Sequence, residues 1–422
     1  MKENKIHTPE GVRDIYSDEC KRKRVVIEKL HHVFKLYNYD EIETPTFEFF
    51  DIFNGEKGTA SSNEMYKFVD RENNTLVLRP DMTPSIARCV SKYFSGEKHH
   101  IRLCYQGQTF LNCSRLQGKL SETTHMGAEL IGDDTSAADG EIVSMMIDCF
   151  LAAGLSDFQV SIGQVEYFRG LVEEAAVEEE VADELREAIQ NKNAFSVETI
   201  CKQAGVSKTL TESFCNLINT YGDIKVLEDA KQAITNERCI KAIERLEKLY
   251  RIISYYGYEK YVSFDLGLLS DYNYYSGVIF RGYTYGTGHA VATGGRYNGL
   301  VKQFGVDTPS VGFAFIVDEL VTAMNRQKIN LDIRKKASMI LYMEDMQKEA
   351  IAIAKCYRDK DRTAQLTRKS SRSTIEEYEA HCRIHDIGEL IYLENDASDI
   401  LVKDVLNQTE KRVTIDDLKG EL

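Results

Sequence analysis

The chain has 422 residues, 43% of them hydrophobic and 28% charged, which is typical of a globular protein with two or three domains. Its formal net charge of −14 weakens the case for a large nucleic-acid footprint, because such surfaces need clustered Lys and Arg. The sequence has no long apolar run and no signal-peptide pattern, and its ten cysteines form no CxxC pair, so we expect a cytoplasmic protein with free thiols and no metal site.

The first 165 residues alternate helices with short strands. Apolar residues at helical spacing predict a helix from Cys20 to Tyr37, and Thr83 followed by Pro84 predicts a second helix with Thr83 as its N-cap. The pattern also predicts a strand around Ile42, strands at 65–70, 74–81 and 157–163, and a helix at 135–153.

The stretch from Tyr105 to Gly132 predicts a half-buried antiparallel hairpin with a polar loop between its two strands. Glu129 lies inside the second strand, between Ala128 and Leu130. A carboxylate in this position is either on the solvated face of the sheet or held for a purpose, since an unpaired buried one is costly. The hairpin is therefore the first place to look for a binding site.

Residues 167–256 contain no proline and consist of helix-forming residues in helical period, which predicts an all-helical insertion. Strands are expected again at 261–268, 274–284 and 288–295. We expect the last helix of this domain to begin near Pro309 and to continue through GFAFIVDELVTAM. These segments and the preceding ones form a predicted core domain over residues 1–330.

A polar, lysine-rich joint at 325–336 predicts a domain boundary. Beyond it, alternating strand and helix patterns predict a small α/β domain with a partly parallel sheet over residues 337–422. The fold class is therefore α+β, with an antiparallel core sheet flanked by helices.

Six ordered segments resemble the histidyl-tRNA synthetase scaffold of class II over essentially the whole chain. They are TPEGVRD with the helix and YNYDEIETPTFE that follow it, LVLRPDMT (76–83), the hairpin 105–132, YNYYSGVIF, GGRYNGLVKQFG and TPSVGFAFIVDELV. The resemblance implies a class II synthetase-like core, a homodimer formed through the first segment, and a C-terminal domain resembling a degenerate anticodon-binding domain.

Four positions depart from what the resemblance implies for an ATP site. The hairpin 105–132 corresponds to the second motif of the family. Leu111, which follows Phe110, is at the position of a family arginine, and Cys113 is at the position of the glutamate that recognises adenine. Ser270 is at the position of the histidine-specific arginine. Glu319, in the segment TPSVGFAFIVDELV, is at the position of the arginine of the third motif. Loss of one preorganised charge typically slows a reaction about 10²–10³-fold. We therefore expect no working ATP site, no catalytic residues and no cofactor.

The amino-acid pocket of the family keeps more of its character. Glu129 is at the position of the imidazole-reading carboxylate, and Asp81 replaces a glutamate beside the α-ammonium. The candidate histidine-binding residues are Asp81, Thr83, His125, Glu129, Tyr274 and Tyr275. Two ordinary alternatives stay open: Glu129 as a solvated carboxylate, and one of the two tyrosines as core packing, because neighbours on a strand point to opposite faces.

One subfamily resembles this pattern closely: the regulatory subunits of ATP phosphoribosyltransferase. The resemblance implies a non-catalytic subunit that activates a short-form catalytic subunit in a hetero-octamer and takes part in feedback inhibition by histidine. Neither a membrane nor tRNA is expected as a partner. The alternatives are a true histidyl-tRNA synthetase and a free-standing pseudo-synthetase that senses histidine or uncharged tRNA.

Overall fold

A computed structural model describes residues 6–54, 60–97, 99–112, 119–270, 275–331, 337–395 and 398–420. The chain divides into two compact units, Met1–Asn330 and Leu331–Leu422. Each is described by itself below.

Among its described residues, the first unit forms ten α-helices. They are α1 (Ser17–Leu36), α2 (Thr83–Tyr93), α3 (Ser136–Ala153), α4 (Val165–Ala175), α5 (Glu179–Gln190), α6 (Ala194–Gln203), α7 (Lys208–Leu217), α8 (Lys225–Ala233), α9 (Glu237–Tyr255) and α10 (Val317–Arg326). The strands of this unit are β1 (Asp40–Glu41), β2 (Phe47–Phe49), β3 (Lys67–Val69), β4 (Thr75–Leu78), β5 (Ile101–Phe110), β6 (Glu122–Ile131), β7 (Phe158–Gln164), β8 (Tyr221–Gly222), β9 (Val262–Asp265), β10 (Val278–Thr284), β11 (Ala292–Arg296) and β12 (Ser310–Ile316).

Most of these strands join one sheet in the order β1-β5-β6-β12-β11-β10-β7-β9-β8. Its central pairs are antiparallel, from β5 to β7, whereas β1 pairs with β5 and β7 pairs with β9 in parallel. A separate three-stranded sheet has the order β2-β4-β3. The predicted α+β class, with an antiparallel sheet flanked by helices, is confirmed, and the predicted hairpin is the β5–β6 pair.

Helices α1 and α3 cover one face of the large sheet. Phe313 of β12 packs edge-on against Phe34 of α1, and Phe315 packs in the same way against Phe150 of α3. Because side chains alternate along a strand, the neighbouring positions Gly312 and Ala314 face the other side. That second face carries the site described below.

The predicted helix from Pro309 is wrong in its first half. Residues Ser310–Ile316 are the central strand β12, and the helix α10 begins only at Val317. Five of the seven residues of β12 are buried, so the segment reads as a continuous apolar run. In such a run the hydrophobic periodicity cannot distinguish a buried strand from a buried helix.

Two smaller predictions also need correction. Thr83 is the first helical residue of α2 rather than its N-cap, which is Met82. The insertion is not entirely helical, because the two residues of β8 leave it to pair with β9 at the edge of the sheet. The buried faces of α4, α7 and α9 otherwise pack together as the periodicity predicts.

The second unit is a five-stranded sheet with helices. Its elements are β13 (Ala337–Tyr342), α11 (Gln347–Asp359), β14 (Ala364–Arg368), α12 (Ile375–Ile384), β15 (Ile387–Leu393), β16 (Ile400–Asp404), β17 (Thr409–Val413) and α13 (Ile415–Gly420). The strand order is β14-β13-β15-β16-β17, and only the first three strands are parallel. The partly parallel sheet agrees with the sequence pattern. That pattern did not predict the last two strands, β16 and β17.

Candidate functional site

The register of the large sheet places a glutamate beside two glycines. Glu129 of β6 lies opposite Gly312 of β12, which in turn lies opposite Gly295 of β11. A Cβ on Gly312 would lie 1.5 Å from Oε2 of Glu129. A side chain at position 312 is therefore incompatible with this position of the carboxylate.

A cavity of about 580 Å³ opens over this row of residues. Its lining includes every described residue that the sequence singled out for the pocket or for the lost ATP site. They are Asp81, Thr83, Leu111, His125, Glu129, Ser270, Tyr275 and Glu319. The other two, Cys113 and Tyr274, lie outside the described residues.

Glu129 is held by two hydroxyl groups at the floor of the cavity. Thr83 at the start of α2 donates its Oγ1 hydrogen to Oε1 at 3.0 Å, and Tyr297 donates its hydroxyl hydrogen to Oε2 at 2.5 Å. The side chain is only 1% exposed, so Glu129 as a solvated surface carboxylate is wrong. Burial raises the pKa of Glu129 to about 8, even though both hydroxyl groups favour the charged form.

Glu129 should make the stability of the protein depend on pH. The folded protein holds this proton up to a pKa of about 8, whereas the unfolded chain releases it near 4.5. Between these values the unfolded state binds fewer protons, so the free energy of unfolding falls as pH rises, by at most about 1.4 kcal/mol per pH unit from this group. Urea unfolding of the wild type and of Glu129→Gln, at about pH 5.5 and 7.5, measures this term. An identical pH dependence in the two proteins would contradict it.

Asp81 lies at the mouth of the cavity and also organises the start of α2. Its Oδ1 accepts hydrogen bonds from the backbone N–H groups of Met82 at 2.6 Å and Thr83 at 3.3 Å. Burial raises the pKa of this carboxyl, although the two hydrogen bonds oppose the shift. Both hydrogen bonds go to one oxygen, and the carboxyl group faces the cavity that Glu129 floors.

His125 lies on β6 four residues before Glu129 and lines the same cavity. Burial, with a smaller contribution from the nearby Arg79, lowers its pKa to about 4 against the opposing effect of Asp318. The imidazole is therefore neutral at physiological pH. It can exchange hydrogen bonds with a ligand, but it supplies no positive charge for a ligand carboxylate.

Tyr275 combines the two roles considered for the paired tyrosines. It is 9% exposed and belongs to a core cluster with Ile279 and Leu268, and it also lines the cavity. A Cβ on Gly295 would lie 2.7 Å from its ring, so the ring rests directly on that glycine. Its aromatic face therefore forms a wall of the site.

The lining of the cavity includes one member of an acidic pair. Glu319 lines the cavity, whereas the preceding Asp318 is buried and is not part of the lining. Asp318 accepts hydrogen bonds from Lys23 Nζ and from the backbone N–H of Thr124, both at 2.7 Å. The acidic pair therefore divides into a structural residue and a carboxylate that faces the cavity.

Two residues of the site escaped the sequence analysis. Tyr297, which clamps Glu129, belongs to the GGRYN segment already noted, so the signal was present but was read as a family signature only. Arg281 of β10 lines the cavity and donates a hydrogen bond from Nη2 to the carbonyl of Leu269 at 3.0 Å. Its place on the cavity face follows from the register with Thr293, which no local pattern reveals.

Known proteins of similar sequence identify the family. A protein of Ruminiclostridium cellulolyticum is 36% identical over 417 residues, which are 98% of each chain. One of Clostridium novyi is 35% identical over 429 residues, which cover both chains fully. Both carry the name ATP phosphoribosyltransferase regulatory subunit. This chain belongs to the ATP phosphoribosyltransferase regulatory subunit family.

The fold agrees with this membership. Residues 11–320 match the model of the histidyl-tRNA synthetase family. A solved structure from Bacillus halodurans, described as an ATP phosphoribosyltransferase regulatory subunit/histidyl-tRNA synthetase, is 32% identical, covers 93% of this chain and 99% of its own, and has a TM-score of 0.83. A histidyl-tRNA synthetase from Nostoc sp. has a TM-score of 0.81 at 16% identity, with 99% of each chain covered, and so shows the class II fold alone.

Both the predicted class II synthetase-like fold and the predicted regulatory-subunit family are therefore confirmed. None of the helices in the described ranges is both long and apolar enough to cross a membrane.

Proposed function

We propose that this member of the regulatory subunit family binds free histidine in the cavity over Glu129 and thereby changes the activity of a separate ATP phosphoribosyltransferase chain in histidine biosynthesis. The observation that carries the proposal is the pairing of a buried carboxylate, held by two hydroxyl groups, with a cavity whose lining includes Glu319. The first feature suits an amino acid with an N–H to donate. The second repels a triphosphate.

In the proposed complex the imidazole of histidine donates an N–H to Glu129. The added donor favours the ionised form of Glu129, so binding releases the proton that this carboxyl holds below about pH 8. A hydrogen bond to an ionised acceptor in a buried site is among the stronger hydrogen bonds in proteins. The α-ammonium group lies at Asp81, whose hydrogen bonds to the backbone go to one oxygen only. The α-carboxylate meets Arg281, since His125 is neutral. The side chain of Tyr275 covers one side of the imidazole ring of the ligand.

The same cavity is poorly suited to the activation of histidine by ATP. The attack of a carboxylate on a triphosphate needs fixed cations along the phosphates. Leu111 and Ser270 offer none at the positions where the synthetase family has arginines, and Glu319 adds a negative charge. We therefore propose a binding role without chemistry for this cavity.

We also propose a homodimer core and a hetero-oligomer with a short-form catalytic subunit. The three-stranded sheet leaves Phe47 and Phe49 about half exposed, at 53% and 55%, and Phe68 packs edge-on against Phe47. An apolar sheet face of this kind is typical of a surface that another chain covers. Phe47 belongs to the end of the first segment, YNYDEIETPTFE, whose resemblance implies the dimer.

The decisive test is phosphoribosyl transfer to ATP by a short-form catalytic subunit from the same source, with and without this protein. We expect activity to appear in the mixture and to fall when histidine is added. A coupling free energy of about 1–3 kcal/mol between the histidine site and the catalytic partner would produce useful feedback. If this protein neither binds the partner nor changes its rate, the regulatory proposal fails.

A parallel assay separates the proposal from a synthetase activity. We expect no histidine-dependent exchange of pyrophosphate into ATP by this protein alone, because Leu111, Ser270 and Glu319 occupy the positions where the synthetase family has arginines. Exchange at a rate comparable with that of a histidyl-tRNA synthetase, used as the positive control, would overturn the non-catalytic assignment.

A further inference from the structure

A second cavity, of about 440 Å³, lies behind the wall of the first one. This wall consists of residues 275–277 and 296–298. Two hydrogen bonds join the segments: the N–H of Ser276 donates to the carbonyl of Arg296 at 2.7 Å, and the N–H of Asn298 donates to Oγ of Ser276 at 2.8 Å. Tyr275 and Tyr297 face the histidine cavity. Ser276, Arg296 and Asn298 face the second one. The two cavities are therefore back to back and share one wall.

The opposite wall of the second cavity is the helix α9, which presents a row of cations. Arg238, Lys241, Arg245 and Lys248 all line the cavity. They are three or four residues apart and so lie on one face of the helix. Lys241 and Lys248, called the rim lysines below, are exposed. The side chain of Lys241 is 75% accessible, and its Nζ lies 3.9 Å from the carboxylate of Glu237, which is itself 90% accessible. This concentration of positive charge contrasts with the net charge of −14 of the whole chain.

The base of the cavity is a fixed network of charges. Asp139, which is fully buried, lies 2.7 Å from Arg296 and 2.7 Å from Arg245. Asp134 lies 3.2 Å from Arg296, and its own side chain is 61% exposed. One buried carboxylate thus faces two guanidinium groups, and the network holds both arginines in place without cancelling the lysines at the rim.

The other acidic residues of the lining are already engaged by cations. Glu166 lies 2.8 Å from Arg238 and 2.7 Å from Arg169. Glu244 lies 3.6 Å from Lys231 on the neighbouring helix α8. The rim lysines therefore dominate the charge that an incoming ligand meets.

We propose that this second cavity binds a phosphorylated small molecule, in which Lys241, Lys248 and Arg245 contact the phosphate. Lysine and arginine side chains on a rigid helix are the usual partners of phosphate oxygens. The polar groups of Gln164, Ser276 and Asn298 line the rest of the cavity and suit the hydroxyl groups of a sugar. The volume lies within the usual range of small-molecule sites. This site is additional to the histidine site of the proposed function.

The shared wall gives the second site a means of communication with the first. Arg296, which anchors the base of the second cavity, is followed directly by Tyr297, which clamps Glu129. A ligand that moves one of these residues must move the other. Since coupling between two binding sites is reciprocal, the phosphate ligand and histidine should change each other's affinity by the same factor.

The test measures binding of ribose 5-phosphate to the full chain by calorimetry, with ribose as the uncharged control. Inorganic phosphate and AMP separate recognition of the phosphate alone, of a sugar phosphate and of a nucleotide. We expect ribose 5-phosphate to bind at one site per chain with a Kd in the micromolar to low-millimolar range, and ribose not to bind. No heat from any phosphate probe up to about 10 mM would overturn the proposal.

The double variant K241E/K248E should weaken binding of the phosphate probe at least about tenfold, because two favourable charges become repulsive. The matched control, K202E/K208E, makes the same change of charge on the exposed surfaces of α6 and α7, and should bind as the wild type does. Equal loss in both variants would show a nonspecific effect of net charge and would overturn the site. K241Q/K248Q, expected to weaken binding less, replaces K241E/K248E if the latter does not fold.

These binding experiments need neither histidine nor a catalytic partner, so their failure leaves the proposed function untouched. A final titration repeats the ribose 5-phosphate measurement with saturating histidine. A changed Kd supports the coupling through residues 296 and 297, and an unchanged Kd refutes that coupling.

Discussion

Replacing Glu129 by glutamine should weaken the binding of free histidine about 10- to 100-fold. The variant keeps the shape of the side chain but loses the ionised acceptor, and a buried hydrogen bond to a charged group contributes about 1.5–3 kcal/mol. The amide NH₂ group also presents donors where Thr83 and Tyr297 already donate to the carboxylate. Calorimetric titration of histidine into the wild type and the variant at about pH 8 measures the loss.

The matched control for this prediction is Glu122→Gln. Glu122 begins the same strand β6, but its side chain is exposed. The control should bind histidine as tightly as the wild type. Unchanged affinity in Glu129→Gln would place the histidine site elsewhere, with the contact to the catalytic subunit as the next region to test.

The site could be predicted where the sequence carries a local contradiction. A glutamate inside an apolar strand is such a contradiction, and it pointed to Glu129 before any fold was known. The partner hydroxyls were harder to find. Thr83 lies 46 residues from Glu129, and Tyr297 lies 168 residues away on the other side. Only the family resemblance brought those segments together, and it did not single out Tyr297.

The fold could be predicted where hydrophobic periodicity is clear and not where it disappears. Helices α1 and α9 have distinct polar and apolar faces. The predicted bounds of α1 agree with the structure to within a few residues, and α9 lies inside the predicted helical insertion. Most residues on both faces of strand β12 are buried. One face packs against aromatic rings, and the other forms part of the floor of the cavity. A segment buried on both sides loses the period on which the prediction depends.

The charge network behind the wall could not be predicted at all. Asp139 is an ordinary acidic residue in the first turn of α3, and its partners are 157 and 106 residues away. Each of these residues is unremarkable in its own segment. Their connection explains why the GGRYN segment matters twice, once through Tyr297 at the proposed histidine site and once through Arg296 at the second cavity.

Replacing Asp139 by asparagine should destabilise the first unit by about 3–5 kcal/mol. The carboxylate is fully buried between Arg296, whose side chain is 2% exposed, and Arg245. Removal of one partner from a buried ion pair leaves uncompensated charge on the nearly buried guanidinium group of Arg296, which is the costly case. Calorimetric melting of the full chain measures the loss as a fall in the midpoint of the main transition.

Two further variants identify the origin of that loss. Asp134→Asn removes a carboxylate that also lies near Arg296 but is 61% exposed, so it should cost less than about 1 kcal/mol. In D139N/R296M the buried positive charge goes together with its partner, and much of the stability should return. Equal losses in the two single variants, or no recovery in the double variant, would show that Asp139 acts through its shape and hydrogen bonds and not through its charge. Recovery would establish that the charges of the buried Asp139–Arg296 pair hold the wall of the proposed histidine site to helix α3.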